Sequence, residues 1–291
     1  KCNYIFIQGV ININYIENVG FIGEYNKDLS LELIKKLASS IYLLENNNIV
    51  LGYEPRLSSK KITSVIINSL RETNLNVYIL GIVELPGLIY YSKINNAVGI
   101  MLTANNNLYS YNGIAIYNKG ETITNDDIYI ISRNMINPKN NNFKLGNVYY
   151  FNDYKYKYYS YLNNYLEKTN LKLLIDTQNG STSYYILDIL HSLECEYNLI
   201  NNKPNGTNIN ENYNKNYIIS LSNDVINNYD LGVVFNGSGS EVNIILRNGN
   251  IIYSNEINKI LDKYYKDINF YNNGLLQLFL IIKLLNKNIS L

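Results

Sequence analysis

Leu33-Ile-Lys-Lys-Leu-Ala-Ser-Ser-Ile-Tyr-Leu-Leu-Glu-Asn-Asn-Asn-Ile-Val-Leu51 carries the change of period that sets the fold class. Leu33, Ile34, Leu37, Ala38, Ile41 and Leu44 recur at helical spacing, and Ile49 to Leu51 then makes a short apolar run of strand type. The alternation continues downstream. Ile62, Val65, Ile66 and Leu70 predict a second amphipathic helix, followed by strands at Val77 to Ile82 and Val98 to Thr103. A weakly patterned polar stretch from about Pro138 to Asn152 reads as a connection between domains.

Beyond it the alternation restarts. Tyr154 to Leu166 predicts a helix, Leu173 to Asp176 a buried strand, Ser183 to Leu193 a helix and Tyr197 to Ile200 a strand. Ile218 to Leu221 and Leu231 to Phe235 read as two further strands. Regular α/β alternation with short connections argues for mostly parallel sheets covered by helices. Ile251 to Leu291 is too short for another complete α/β domain.

Composition excludes several function classes. With 25 basic and 24 acidic residues the formal charge is +1, and the signs are mixed along the chain. Nothing here attracts nucleic acid or an anionic membrane surface. The most apolar stretch, Leu275 to Leu285, contains Gln277 and Lys283 and falls short of the roughly 20 residues a membrane span needs, so it reads as a buried helix. No secretory signal precedes the first strand-like run, although the chain begins at Lys1. Cys2 and Cys195 have no ligand-like spacing and read as thiols in a reducing, cytoplasmic setting. Asn, Ile, Lys, Tyr and Leu dominate and tryptophan is absent, a skew toward A/T-rich codons that reads as mutational drift.

Six segments carry a more specific signal. Met101-Leu-Thr-Ala-Asn-Asn-Asn-Leu-Tyr-Ser-Tyr-Asn-Gly-Ile114 resembles the phosphoserine loop of the α-D-phosphohexomutases, S-A-S-H-N-P-x-x-D-N-G-I-K. Leu51-Gly-Tyr-Glu-Pro-Arg-Leu-Ser-Ser-Lys60 resembles I-G-R-D-T-R-x-S-G-K, and Tyr4 to Asn12 sits where Y-F-G-T-D-G-I-R-G would. Ile175-Asp-Thr-Gln-Asn-Gly-Ser-Thr182 resembles V-D-C-A-N-G-A-T, and Pro204-Asn-Gly-Thr-Asn-Ile-Asn210 resembles P-D-G-x-N-I-N. Asp230-Leu-Gly-Val-Val-Phe-Asn-Gly-Ser-Gly-Ser-Glu-Val242 is similar to D-L-G-I-A-F-D-G-D-G-D-R-V. The matches occur in family order along the first 250 residues, and within the family they are most like phosphoglucosamine mutase.

The resemblance implies an α/β fold of two mixed or parallel-sheet domains, residues 1–145 and 146–250, with a helical remnant of a third at 251–291 and no fourth. Asn272 to Ser290 is similar to the helix near the end of the family's third domain, which places the sugar-reading loop among the missing parts. The implied chemistry interconverts glucosamine 6-phosphate and glucosamine 1-phosphate through a phosphoserine and a Mg²⁺ held by three aspartates. The implied partners are a sugar phosphate and a second copy bound through the first domain.

This chain departs from the pattern where the chemistry resides. The phosphoserine position is Asn105, and the three aspartate positions are Asn236, Ser238 and Ser240. The phosphate-binding arginine after the metal loop is Glu241, the nucleophile's histidine neighbour is Asn106, and the lysine after N-G-I is Ala115. The N-terminal loop has Ile11 in place of arginine, while Gly113, Gly237 and Gly239 are kept. Arg56 matches a family arginine and is either a substrate-binding residue or a solvated charge. Thr103 and Ser110 are displaced from the nucleophile position by two or more residues, where about 1 Å of misplacement costs on the order of 100-fold. His191, the single histidine, reads as a surface or packing residue, and Glu84, Asp176 and Asp224 form no evident acid/base pair.

The expectation is a degenerate phosphohexomutase with little or no catalysis and no cofactor. A non-catalytic binding or scaffolding role, or residual activity with a substitute nucleophile, stands as the alternative.

Overall fold

A computed structural model describes residues 2–7, 11–16, 20–44, 46–136, 144–151 and 153–291. Its contacts divide the chain into one unit of residues 1–83 and 87–155 and another of residues 84–86 and 156–291.

The first unit opens with strands β1 (Cys2–Ile7), β2 (Ile11–Ile16) and β3 (Gly20–Glu24), paired antiparallel in sequence order. Helix α1 (Leu31–Ala38) starts at Ser30, whose side chain accepts from the Leu33 amide at 3.2 Å. That bond satisfies one of the free amides of the first turn. The apolar stripe continues past the helix into a 3₁₀ turn, Ile41–Leu44, so Ile34, Leu37, Ile41 and Leu44 are all buried. Strand β4 (Asn48–Tyr53) leads to α2 (Ser59–Glu72), where Ile62, Ile66 and Leu70 are fully buried.

Strand β5 (Asn76–Ile82), helix α3 (Leu85–Ile94), strands β6 (Val98–Leu102), β7 (Tyr111–Asn118) and β8 (Glu121–Thr122), and helix α4 (Asn125–Ile136) follow. Strands β6, β4 and β5 are parallel neighbours, whereas β7 runs antiparallel beside β6 and joins β3. The sheet is therefore mixed: a parallel βαβ core with an antiparallel extension.

Residues 148–150 differ from expectation. The polar stretch read as an interdomain connection contributes β9 (Val148–Tyr150), parallel to β5 at the sheet edge. An edge strand has only one partner and no need for an apolar run, so its sequence carries little pattern. Residues 137–143 of that stretch lie outside the described residues, as do residues 8–10 of the N-terminal match.

The second unit follows α5 (Tyr154–Asn163), which begins in the first. Strand β10 (Leu173–Asp176), helix α6 (Ile186–Leu193), strand β11 (Tyr197–Ile200), helix α7 (Lys215–Asn228) and strand β12 (Leu231–Phe235) form the parallel set β11-β10-β12. Strands β13 (Val242–Leu246) and β14 (Ile251–Ile252) extend it antiparallel.

Ile218 to Leu221, expected to be a strand, lies inside α7. Ile218, Leu221 and Val225 are buried, whereas Ile219 is 51% and Ile226 47% exposed. A buried set at i, i+3 and i+7 is the signature of a helix face, which a four-residue apolar window cannot reveal. Asn214 caps this helix by accepting from the Tyr217 amide at 3.0 Å.

Residues 251–291, expected to be left over from a further domain, pack within the second unit as β14, α8 (Ser254–Tyr264) and α9 (Gly274–Asn286). Leu275 to Ile282 are buried without a break, as a helix apolar on all sides requires. Its one internal amide side chain, Gln277, donates to Asn258 of α8 at 2.8 Å. No described helix is long and apolar enough to cross a membrane. His191 is exposed in the last turn of α6, and Cys195 is a free, half-buried thiol.

Candidate functional site

Two loops collect the residues singled out from the sequence, one in each unit. In the first unit, the turn between β6 and β7 carries Asn105, with φ +53. A non-glycine residue pays a steric cost in this left-handed region, and Asn tolerates it better than most. The Asn105 amide donates to the Thr103 hydroxyl at 2.9 Å, and the Asn107 amide to the Ala104 carbonyl at 3.0 Å.

Arg56 holds this turn from behind. Its Nε donates to Glu54 Oε2 at 2.6 Å, and both side chains are fully buried. One Nη donates to the carbonyls of Leu108 (2.6 Å) and Tyr111 (3.1 Å), the other to those of Asn107 (3.0 Å) and Asn105 (3.4 Å). Every nitrogen of the guanidinium is thus used on its own chain, through the planar fork that lysine lacks. Arg56 is buried at 3% exposure with its guanidinium turned to the chain's own carbonyls, which corrects the solvated-charge reading made from sequence.

Glu54 is the residue that sequence reasoning passed over. Besides Arg56 it accepts from the Thr103 hydroxyl and from the Ala104 amide, the latter at 3.4 Å. A charge pair two residues apart between a strand and a helix was the available signal. Thr103 is 2% exposed, with its hydroxyl turned to this carboxylate. Next to the turn, Asn112 fastens β7 to the start of α2 through Ser58 Oγ at 2.8 Å.

In the second unit, the loop between β12 and β13 brings Asn236, Ser238 and Ser240 together, all buried. Asn236 Nδ2 donates to Ser240 Oγ at 3.1 Å, Ser238 Oγ donates to Asn236 Oδ1 at 3.2 Å, and the two serine hydroxyls are 2.8 Å apart. Asn236 Oδ1 also accepts the Glu241 amide at 3.1 Å, and the Glu241 carbonyl accepts the Asn236 amide at the same distance. Gly239 turns at φ +69, and a Cβ on it would lie 2.8 Å from both Thr182 Oγ1 and Glu84 Cγ. Gly180 packs against Gly237 so closely that a Cβ would meet its Cα at 2.5 Å. Glu241 is half-buried, and its carboxylate accepts from Tyr213 at 3.5 Å.

The donor set at 236, 238 and 240 is one carboxamide oxygen and two hydroxyls, whose lone pairs are engaged with one another. Mg²⁺ is a hard cation that takes anionic oxygen, and these residues do not fit it. No group of three or more His, Cys, Asp or Glu side chains suited to a metal occurs among the described residues.

Two buried carboxylates lie near this loop. Glu84 is 1% exposed, and burial pushes it from an ordinary 4.5 up to about 7, opposed in part by its backbone and by the Tyr159 hydroxyl at 3.3 Å. Asp176, at the end of β10, is also raised by burial, opposed by bonds from Tyr217 (2.6 Å), Gln178 and Asn201. Asp224 is exposed on α7.

Comparison with known proteins places this geometry. Residues 15–142 match the family described as phosphoglucomutase/phosphomannomutase, alpha/beta/alpha domain I. The phosphoglucosamine mutase of Limosilactobacillus reuteri is 28% identical over 271 residues, covering 87% of this chain and 60% of that protein. That of Dictyoglomus turgidum is 29% identical over 262 residues, covering 85% and 59%. The chain thus spans about 60% of the length of the curated relatives it matches.

Among solved structures, a putative phosphomannomutase from Thermus thermophilus superposes with a TM-score of 0.74 at 20% identity, covering 85% of this chain and 60% of that one. A phosphoglucomutase/phosphomannomutase family protein from Burkholderia thailandensis gives 0.72 at 17%, covering 84% and 58%. These two show the fold, and the sequence matches point the same way: over residues 15–142 the chain resembles phosphoglucomutase/phosphomannomutase domain I, and over most of its length it is similar to phosphoglucosamine mutases.

Proposed function

We propose that this chain is a phosphoglucosamine-mutase-like protein that keeps the family's loop architecture without its phosphoryl-transfer chemistry. The observation that carries the reading is the neutral cluster of Asn236, Ser238 and Ser240, whose members bond to one another instead of presenting anionic ligands. A transferring phosphoryl group needs its charge met by preorganised positive groups, and one such contact is worth about 3–4 kcal/mol. Asn105 cannot be phosphorylated at its side chain, and Glu241 adds a negative charge where a phosphate would be held. The reading assigns no metal cofactor to the chain.

The nearest substitute nucleophile fares no better. Thr103 is buried with its hydroxyl on Glu54, which disfavours residual activity through that residue. A binding or scaffolding role, in the cytoplasm and with self-association through the first unit, is the form of function that survives these substitutions. No nucleic-acid or membrane partner is part of this reading, since the charge is nearly balanced.

A coupled mutase assay on glucosamine 6-phosphate, with Mg²⁺ and a sugar bisphosphate primer, tests it. Folded protein should give no turnover above a blank. Turnover abolished by a chelator would overturn the proposal.

A further inference from the structure

Tyrosine rings in the second unit run in contact from solvent to the interior. Tyr184, 49% exposed, has its ring centroid 6.4 Å from that of the buried Tyr185. Tyr185 lies 5.5 Å from Tyr159, and Tyr159 lies 5.8 Å from the buried Tyr158. Such packing builds cores by itself, and a chain with 30 tyrosines makes many ring contacts.

What separates Tyr159 from its neighbours is the partner of its hydroxyl. It donates to the carboxylate of Glu84 at 3.3 Å, an oxygen able to take up a proton. Tyr158 instead donates to the carboxamide oxygen of Asn273 at 3.2 Å, which holds no proton at neutral pH. Tyr217, Tyr213 and Tyr271 also have carboxylate partners, Asp176, Glu241 and Asp262, but their rings stand outside this run, and Asp176 already accepts from Gln178 and Asn201. For Glu84 the Tyr159 hydroxyl is the side-chain bond that counts against its burial.

We infer that Tyr159 and Glu84 form a proton-coupled redox pair, oxidised by a one-electron oxidant such as a peroxide-derived radical that acts at Tyr184 on the surface. The oxidant gains one electron from Tyr184, whose phenolic proton leaves to water. Tyr159 then returns an electron through Tyr185, and Tyr184 recovers a proton from water. The Tyr159 proton moves onto Glu84, so the net products are a neutral tyrosyl radical, a neutral carboxylic acid and an oxidant reduced by one electron. A one-electron reductant such as a thiol reverses the step, with Glu84 giving its proton back. Phenol oxidation without a proton acceptor leaves a cationic radical, which a half-buried site packed among other rings disfavours. The carboxylate therefore makes Tyr159 the resting place of the oxidised state. This inference does not depend on the reading of the chain's catalytic status.

The test uses the full chain at pH 8 with photo-oxidised ruthenium tris-bipyridyl as the oxidant, freeze-quenched for electron paramagnetic resonance. One dominant tyrosyl signal is expected, lost in Tyr159→Phe and kept in Tyr158→Phe. Tyr159→Phe keeps the ring, and circular dichroism verifies that each variant is folded. In Glu84→Gln the hydroxyl keeps an acceptor that cannot be protonated, and the Tyr159 signal should be lost. A spectrum unchanged by Tyr159→Phe or by Glu84→Gln, or signal spread over surface tyrosines alone, would overturn the inference.

Discussion

Glu84→Gln should stabilise the second unit at alkaline pH and leave it nearly unchanged at pH 4, below the window. Glu84 is buried, and its carboxyl is raised from 4.5 to about 7, chiefly by desolvation. Between these values the folded state holds a proton that the unfolded state has released. Stability therefore falls as pH rises through this window, and the loss is complete above pH 7. A rise from 4.5 to about 7 corresponds to about 3 kcal/mol. Tyr159 and Tyr158 face the carboxyl, and burial pushes the Tyr158 phenol well above its usual range.

Glutamine keeps an acceptor for the Tyr159 hydroxyl and removes the ionisation. Urea unfolding followed by tyrosine fluorescence at pH 4 and pH 8 gives the difference between variant and wild type, which cancels the other titrating groups. A gap that opens to about 3 kcal/mol at pH 8 moves the midpoint by about 1 M or more, given slopes of about 1–3 kcal/mol/M. Parallel curves at both pH values would refute the argument that burial sets this titration.

Other expectations follow from the two loops and from α7. Arg56→Ala strands a buried Glu54 and should cost about 3–5 kcal/mol in the first unit, read from denaturant unfolding; Glu54→Ala with Arg56→Ala should cost less than the two single losses together. The same Arg56→Ala change should open residues 105–111 to limited proteolysis, because four backbone carbonyls lose their donor. Asn236→Asp with Ser238→Asp and Ser240→Asp should lower stability without metal through like-charge repulsion and raise it with added Mg²⁺, by about 2.7 kcal/mol at 100-fold excess over Kd; a melting temperature indifferent to Mg²⁺ would sink the account of the lost site. On α7, Leu221→Ala should cost about 2–5 kcal/mol while Ile219→Ala stays within about 0.5 kcal/mol, and equal effects would contradict a helix with one buried face.

The sequence by itself determined the alternation of helices and strands, because the buried stripes of α1 and α2 and the apolar strands β4, β6, β10 and β12 each span enough residues to display their period. It also carried the resemblance to the phosphohexomutases, since loops keep recognisable residues when backbone shape depends on them: Gly239 at positive φ, and Gly237 in backbone contact with Gly180. Where the pattern is short or one-sided the sequence was silent or misleading. Ile218 to Leu221 looks like a strand until Val225 is seen on the same face, and β9 is visible only through its pairing with β5.

Tertiary structure alone decided what the polar residues do. Arg56 reads as a surface or ligand-binding cation, and only the fold brings the carbonyls of residues 105–111 around it. Asn236, Ser238 and Ser240 read as lost ligands, and only their proximity shows that they satisfy one another. Glu84 and Tyr159 are 75 residues apart in the chain. The physical reason is common to all of them: apolar patterning is local and repeats along the chain, whereas a hydrogen bond or a desolvated charge is defined by partners from distant segments, which come together only once the core has closed.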